Sequence, residues 1–413
     1  LRRVTHFRNI RSGASFRFWV VRKSLLRTGI KLQPNSPLNR NQRESLRCCL
    51  GLSSLNAFRS SLPFILLLAV FILPCPMSAA AKPRPAIAFV HLLLPPGGEP
   101  HASPTGWIGS LDRARDTLES LRIPTIVSSA SPGNAEDLNE LSEMDPEVLI
   151  TTSPLLYAAA CDVAKRSPNT VFFACTDETV HDNMSGFQAR TYEAHYLAGL
   201  IAGALSEDGV IGYLANDPYQ SKASRLRNAN AFTLGAQKSK AAIRVLYAPG
   251  NDPDEELKTL IAAGADIVDL ERALPSLVER LREHSVRYVG TAGRTVDPLC
   301  LAAPEWEWSN AFGDLLTQVR FGIWRPRNVS YGIKEGVVGL SPFGPAVPET
   351  VRVRVREAKK AIRNGVSPFE GPVRDVSGSL RIAEGSVPDD ATLRGMDWRV
   401  QGLEPLPLTP DGL

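Results

Sequence analysis

Three short segments carry residue types that could hold a flat, hydrogen-bonding small molecule. PTGWIGSLDRAR contains Trp107, whose indole could stack on a planar ring, at the start of a helical stretch whose first backbone N–H groups could meet an acceptor. TTSP sets Ser153 before Pro154, a pair that predicts a capped helix start; capping accounts for the hydroxyl, which could also meet a ligand. APEWEW gathers Glu305, Trp306 and Trp308, a carboxylate acceptor beside two indoles, at an expected strand-to-helix junction. Only five Trp follow residue 81, so two in three positions point to a site, with one of them expected in the core. Arg294 could face an anion or sit on the surface, and Asp112 with Arg115 reads as a surface ion pair on a helix.

Catalytic chemistry is not indicated. The five His after residue 81 (His91, His101, His181, His195 and His284) form no HExxH pair, and there is neither a nucleophile elbow nor a Walker-type loop. Glu193 and His195 lie two apart in a helical stretch and so point to different sides, which prevents them from sharing a metal. Cys161, Cys175 and Cys300 form no CxxC pair; they are expected as small buried side chains, with a Cys161–Cys175 bridge left open. The expectation is therefore a non-enzymatic binding protein with no cofactor and no metal.

Binding loops of this kind need a scaffold, and the hydrophobic pattern supplies one. Short apolar runs at 86–91, 124–128, 147–151 and 170–175 read as strands, separated by helical patterns at 108–121, 135–144 and 155–165. The rhythm returns with strands at 210–214, 242–247, 266–270 and 287–290, and helical patterns at 255–263 and 274–282 between them. Two successive strand–helix series predict an α/β protein with two parallel sheets, hence two lobes. Beyond residue 291 the expectation is a strand at 300–302, helices at about 306–321 and 348–364, and a hairpin around Gly378. In open α/β sheets ligands bind beyond the carboxyl ends of the strands, which is where Trp107 and Ser153 fall.

The formal charge of +4 conceals two unlike regions. The first 81 residues hold 13 Lys/Arg and one acid, leaving 34 basic and 42 acidic residues beyond them, a net of −8, so no basic nucleic-acid surface is expected. Residues 1–58 read as an upstream or unstructured leader. Arg59, the apolar run 62–73 and the small residues 78–81 have the order of a signal peptide spanning about 59–81; the run is too short to span a bilayer. Pro74 before Cys75 argues against lipid attachment at that cysteine. Export to the periplasm, or to the outer side of the plasma membrane, is the expectation.

The stretch 192–214, YEAHYLAGLIAGALSEDGVIGYL, has small residues along one helix side and then a strand. With NAFTLGAQ, GADIV, APEWEW, LSPFGPAVP and MDWRVQGLEPLP in the same order, it resembles the basic membrane protein (PnrA-like) family of ABC transporter substrate-binding proteins, over about residues 85–407. The resemblance implies a type I periplasmic-binding-protein fold: two Rossmann-like lobes with a ligand cleft between them and three crossings of the chain. It implies a solute-binding domain at 82–407, with lobe 1 at about 83–207 and 294–330 and lobe 2 at about 208–293 and 331–400. The crossings are expected near 207–209, 291–297 and 330–337.

It further implies a purine base or nucleoside as solute, an ABC permease as partner, and a monomer. Trp107, Ser153, Arg294, Glu305, Trp306 and Trp308 are the expected ligand-binding residues. The sequence departs from the family pattern at 103–106, 271–274 and 291–294, where expected carboxylate-bearing loops differ. An unpaired buried ligand donor costs about 1–3 kcal/mol, so the alternative is an exported sensor or interaction protein with altered or lost purine specificity.

Overall fold

The structure is a computed structural model that describes residues 85–93, 106–176, 181–218, 220–290 and 297–407. The expected signal peptide at 59–81 and Arg294 lie outside the described residues. Among those described, no helix is long and apolar enough to cross a membrane.

The first series runs β1 (Ile87–Leu92), α1 (Gly106–Ser120), β2 (Thr125–Ala130), α2 (Glu136–Ser142), β3 (Val148–Thr151), α3 (Tyr157–Ala164), β4 (Val171–Cys175) and β5 (Met184–Ala189). The second runs α4 (Tyr192–Leu205), β6 (Val210–Leu214), α5 (Lys222–Ser239), β7 (Arg244–Ala248), α6 (Pro253–Ala262), β8 (Ile267–Leu270), α7 (Pro275–Glu283), β9 (Arg287–Gly290) and β10 (Cys300–Ala302). The remainder comprises β11 (Pro304–Trp306), α8 (Ser309–Arg320), β12 (Val329–Tyr331), β13 (Val338–Leu340), α9 (Glu349–Arg363), β14 (Val373–Arg374), β15 (Leu380–Ile382), α10 (Asp390–Arg394) and β16 (Leu403–Pro405).

Two six-stranded sheets result, in the orders β12-β5-β4-β3-β1-β2 and β10-β9-β8-β6-β7-β16, and every pairing in both is parallel. Helices cover both faces, so the strands are apolar in both directions. Ile87 and Phe89 of β1 enter one cluster while Ala88, Val90 and Leu92 enter another. In the second sheet Ile211 and Tyr213 join the first cluster, and Leu214 faces a third against α6 and α7. The type I two-lobed fold expected from the sequence is the fold observed. The hairpin around Gly378 is β14–β15, paired antiparallel.

Helices α4 and α5 explain the small-residue signature. A Cβ placed on Gly199 would strike the Phe232 carbonyl, one on Gly203 the Ala236 carbonyl, and one on Gly235 the Tyr196 carbonyl. The two backbones are in contact along three turns, and only glycine permits it. Gly209, at φ 78°, then reverses the chain into β6 in a conformation that side chains disfavour.

This packing corrects the expected first crossing. Because α4 lies against α5 on the second sheet, the chain leaves the first sheet at Arg190–Thr191, directly after β5, and not at 207–209. The second passage also differs, since β10 pairs with β9. Residues 300–302, expected in the first lobe, thus belong to the second sheet, and the chain returns through β11. The third passage follows β12, which pairs with β5, and leads into β13, which pairs antiparallel with β11.

Candidate functional site

The carboxyl ends of both sheets face one cavity of ≈ 190 Å³. The first lobe contributes Trp107 from the start of α1, Thr176 after β4, and Gln188 near the end of β5. The second contributes Asp217 and Gln220 from the loop after β6, Ser224 and Arg227 from α5, and Arg394 from α10. Thr191 and Trp306 enter from two of the crossings.

Trp107 and Trp306 form a corner. Their ring centroids lie 5.9 Å apart at 85°. Trp107 Nε1 donates to the Thr152 carbonyl at 2.8 Å, and Trp306 Nε1 donates to Thr191 Oγ1 at 3.2 Å. Both indole donors are therefore used within the protein, which fixes the rings; Trp107 also stacks on Phe187, with centroids 6.4 Å apart at 15°, so only the indole surface turned toward the cavity is left for contact. Behind Trp107, Trp308 packs edge-on at 5.2 Å and itself stacks on Phe312 at 5.4 Å and 9°.

The other expected site residues fall elsewhere. Trp308 is fully buried and does not line the cavity: it supports Trp107. Ser153 is fully buried, and its Oγ accepts from Leu155 N at 3.3 Å, capping a short 3₁₀ turn while its neighbour Pro154 lines the cavity. Glu305 pairs across β11–β13 with Gly339, outside the cavity lining. Burial lowers the Lys359 ammonium below its usual range, with Glu305 opposing that shift. Asp112 contacts His91 Nε2 at 3.2 Å, and Arg115 pairs with Asp116 at 2.8 Å and Glu119 at 3.0 Å, as an ion-pair network on α1. Of the six expected residues, the fold brings Trp107 and Trp306 together at the cavity.

The second lobe's wall rests on buried polar groups. Tyr213 Oη donates to Glu271 Oε1 at 2.9 Å, and Asp217 N donates to Glu271 Oε2 at 3.4 Å. Asn216 and Arg272 exchange two bonds, Nδ2 to the Arg272 carbonyl and Arg272 N to Oδ1, both at 2.8 Å. The loop after β6 is thereby tied to the loop after β8. Burial pushes the Glu271 carboxyl up to about 7, reinforced by Asp217 and Asp269 and opposed by His195 and Tyr213. His195 Nδ1 meets Asp269 Oδ2 at 3.1 Å. Burial disfavours the imidazolium, yet the adjacent Asp269 carboxylate outweighs it and raises His195 above its ordinary range.

A second network joins the crossings. Arg190 donates from Nε to Glu193 Oε1 at 2.7 Å, from Nη1 to the Ser330 carbonyl at 2.8 Å, and from Nη2 to Glu335 Oε2 at 2.5 Å. Glu193 Oε2 accepts from Ile333 N at 2.6 Å, and Glu335 Oε2 accepts from Gly332 N at 2.7 Å. Glu193, which the sequence brings up only as a poor metal partner for His195, thus clamps the first crossing to the third.

Sequence reasoning missed Asp217, Gln220, Ser224, Arg227 and Arg394. Asn216 and Asp217 follow the strand 210–214, so the carboxyl-end rule applied to the second lobe would have reached them. Arg394 gives no such signal, because its five-residue helix joins the cavity only through the long return of the chain. Among the described residues, no group of three or more His, Cys, Asp or Glu could hold a metal ion, and Cys161, Cys175 and Cys300 form no disulfide.

Comparison with known proteins agrees with this architecture. Residues 111–262 match the family described as ABC transporter substrate-binding protein PnrA-like. The chain is 28% identical over 344 residues to a purine-binding protein of Brucella abortus, spanning 79% of this chain and 95% of that one. It is also 28% identical over 307 residues to a putative ABC transporter glucose-binding protein of Haloferax volcanii, spanning 68% and 78%. Among solved structures, an ABC transporter system solute-binding protein from Conexibacter woesei superposes with a TM-score of 0.54 at 17% identity, covering 68% of this chain and 97% of that one.

Proposed function

We propose, on the premise that the chain is a relative of the PnrA-like ABC transporter substrate-binding proteins, that it captures a purine outside the cytoplasm and delivers it to an ABC permease. The observation that carries this reading is the Trp107–Trp306 corner, where a flat solute can stack on one indole and meet the edge of the other. The cavity, at ≈ 190 Å³, is smaller than the roughly 300–1,000 Å³ of drug-sized sites. That volume suits a base better than a larger conjugate. The Brucella relative's designation as purine-binding points the same way.

Capture without chemistry fits the residues present. The lobes each supply one wall, so a solute that touches both favours the closed arrangement over the open one by its differential contacts. A permease that recognises the closed form then receives loaded protein in preference to empty protein. Residues 59–81 would act as the export signal in this reading, and the protein would work as a monomer.

Thermal unfolding of the full chain with and without adenine, guanine, hypoxanthine and xanthine tests the proposal. A ligand at 100 times its Kd stabilises the folded state by about 2.7 kcal/mol, a readily measured rise in Tm. Stabilisation by a purine and not by glucose supports it; stabilisation by glucose alone contradicts it.

A further inference from the structure

Helix α9 differs in charge from the chain around it. Its sequence, ETVRVRVREAKKAIR, holds six basic and two acidic residues. Beyond residue 81, the chain outside this helix holds 28 basic and 40 acidic residues, a net of −12, so the helix's +4 sits on an acidic body. One side of α9 belongs to the core, where Val351, Val355 and Ile362 are buried and the helix packs against α4. That packing fixes which side faces outward.

Val353, Arg356, Lys360 and Arg363 follow the spacing of one helix face and are exposed, with Arg354 exposed beside them. The acids at hand leave most of this charge in place. Glu349 pairs with Arg356 at 2.7 Å, Glu305 of β11 acts on Lys359, and Glu357 forms no ion pair among the described residues. Arg352 is held inward, donating to the Val347 carbonyl at 2.7 Å and the Gly344 carbonyl at 3.0 Å. Arg354, Lys360 and Arg363 have neither an ion-pair nor a hydrogen-bond partner for their side chains among the described residues. Like charges also crowd the helix: Arg352 and Arg356, Arg356 and Lys360, and Lys359 and Arg363 are each four residues apart, a spacing that weakens a helix on its own. Burial first, and then the Arg363 guanidinium, lowers the Lys359 ammonium below its usual range.

We propose that the outer face of α9 rests on an anionic lipid surface, with Arg354, Lys360 and Arg363 meeting headgroup phosphates. Long side chains without fixed partners adapt to headgroups that move, and these three are spread over about 14 Å along the outside of a single helix. Val353, exposed among them, adds a shallow apolar contact. The helix does not insert, because its apolar side is turned into the core, so the contact is electrostatic and reversible. The acidic remainder of the chain is repelled by the same surface, and charge alone therefore selects one orientation. The contact does not involve the cavity, so it holds whatever solute the cavity takes.

Residues 78–413 form a compact unit of their own, and a chain starting at Ser78 leaves out the 13 Lys/Arg that precede it. Co-sedimentation of this chain is measured with vesicles of equal parts phosphatidylcholine and phosphatidylglycerol, and with vesicles of phosphatidylcholine alone, at low and high salt. Binding is expected to the mixed vesicles only, and to fall as salt rises. Combining Arg354→Gln, Lys360→Gln and Arg363→Gln, with folding verified by a melting curve, is expected to weaken binding at least tenfold. Combining Lys165→Gln, Lys238→Gln and Lys258→Gln removes the same charge from exposed positions elsewhere and is expected to change binding by about twofold or less. Equal losses in the two triple variants, equal binding to both kinds of vesicle, or no binding to either would overturn the proposal. In the last case an acidic protein surface becomes the partner to test.

Discussion

Arg190 and Glu335 meet at 2.5 Å although 145 positions separate them in the chain. Their contact ties the first passage between the lobes to the third, and Arg190 simultaneously holds the half of the network that contains buried Glu193. Breaking either end has unequal consequences. Arg190→Met leaves the Glu193 carboxylate buried beside the Ile333 N–H alone and is expected to cost about 3–5 kcal/mol. Glu335→Gln, at a more exposed position, is expected to cost about 1 kcal/mol or less. Urea unfolding of both variants measures the difference; equal losses would show that Glu193 does not depend on Arg190.

The helix pair α4–α5 makes a sharper demand. Gly199 and Gly203 face the Phe232 and Ala236 carbonyls with no room for a Cβ, and the obstructing atoms are backbone rather than flexible side chains. Gly199→Val is therefore expected to destabilise the fold by about 3 kcal/mol or more, at the upper end of overpacking costs. A Tm within a degree of the unaltered protein would mean that the helices separate freely.

Glu271 gives stability a pH dependence with a definite sign. Its carboxyl titrates near 7 when folded and near 4.5 when free, so the folded state holds the proton more tightly. The resulting stabilisation is complete below about 4.5 and is lost as pH rises through about 7. The whole effect is on the order of 3 kcal/mol. His195, also raised, shifts stability in the same direction at higher pH. Glu271→Gln should flatten the urea midpoint between pH 5 and pH 8 and stabilise the protein at the alkaline end. An unchanged slope would remove Glu271 from the account.

Trp308 separates support from contact. It is fully buried against Phe187, Phe312, Tyr331 and Trp107. Trp308→Ala is expected to cost about 3–5 kcal/mol of stability in a chemical denaturation series. A loss under 1 kcal/mol would show the core closing over the gap without penalty.

The two-lobed α/β fold was legible because the strands 210–214 and 287–290 announce themselves as apolar runs flanked by helical periodicity. β5 was not, since MSGFQA mixes small and polar residues at a position where only packing against β4 and β12 fixes the strand. The small residues along one side of 192–205 are visible in the sequence, but the helix that packs against them is not identifiable from local pattern. That missing partner is why the first crossing was expected after α4 rather than before it. At the cavity Trp107 and Trp306 were legible from residue type and loop position. Trp308, two residues from Trp306, was not separable from it, because the difference lies in which ring the α8 junction turns toward Phe312. Arg227 and Arg394 reach the cavity through tertiary contacts that no spacing encodes.

The proposed binding of a flat solute in the corner made by Trp107 and Trp306 is tested most directly by intrinsic tryptophan fluorescence. Purine titrations of the unaltered protein, Trp107→Leu and Trp306→Leu, each verified as folded, should give saturable quenching in the first. Affinity is expected to fall at least tenfold in either variant, as stacking surface is lost. Affinity in both variants equal to that of the unaltered protein would place the solute away from this corner.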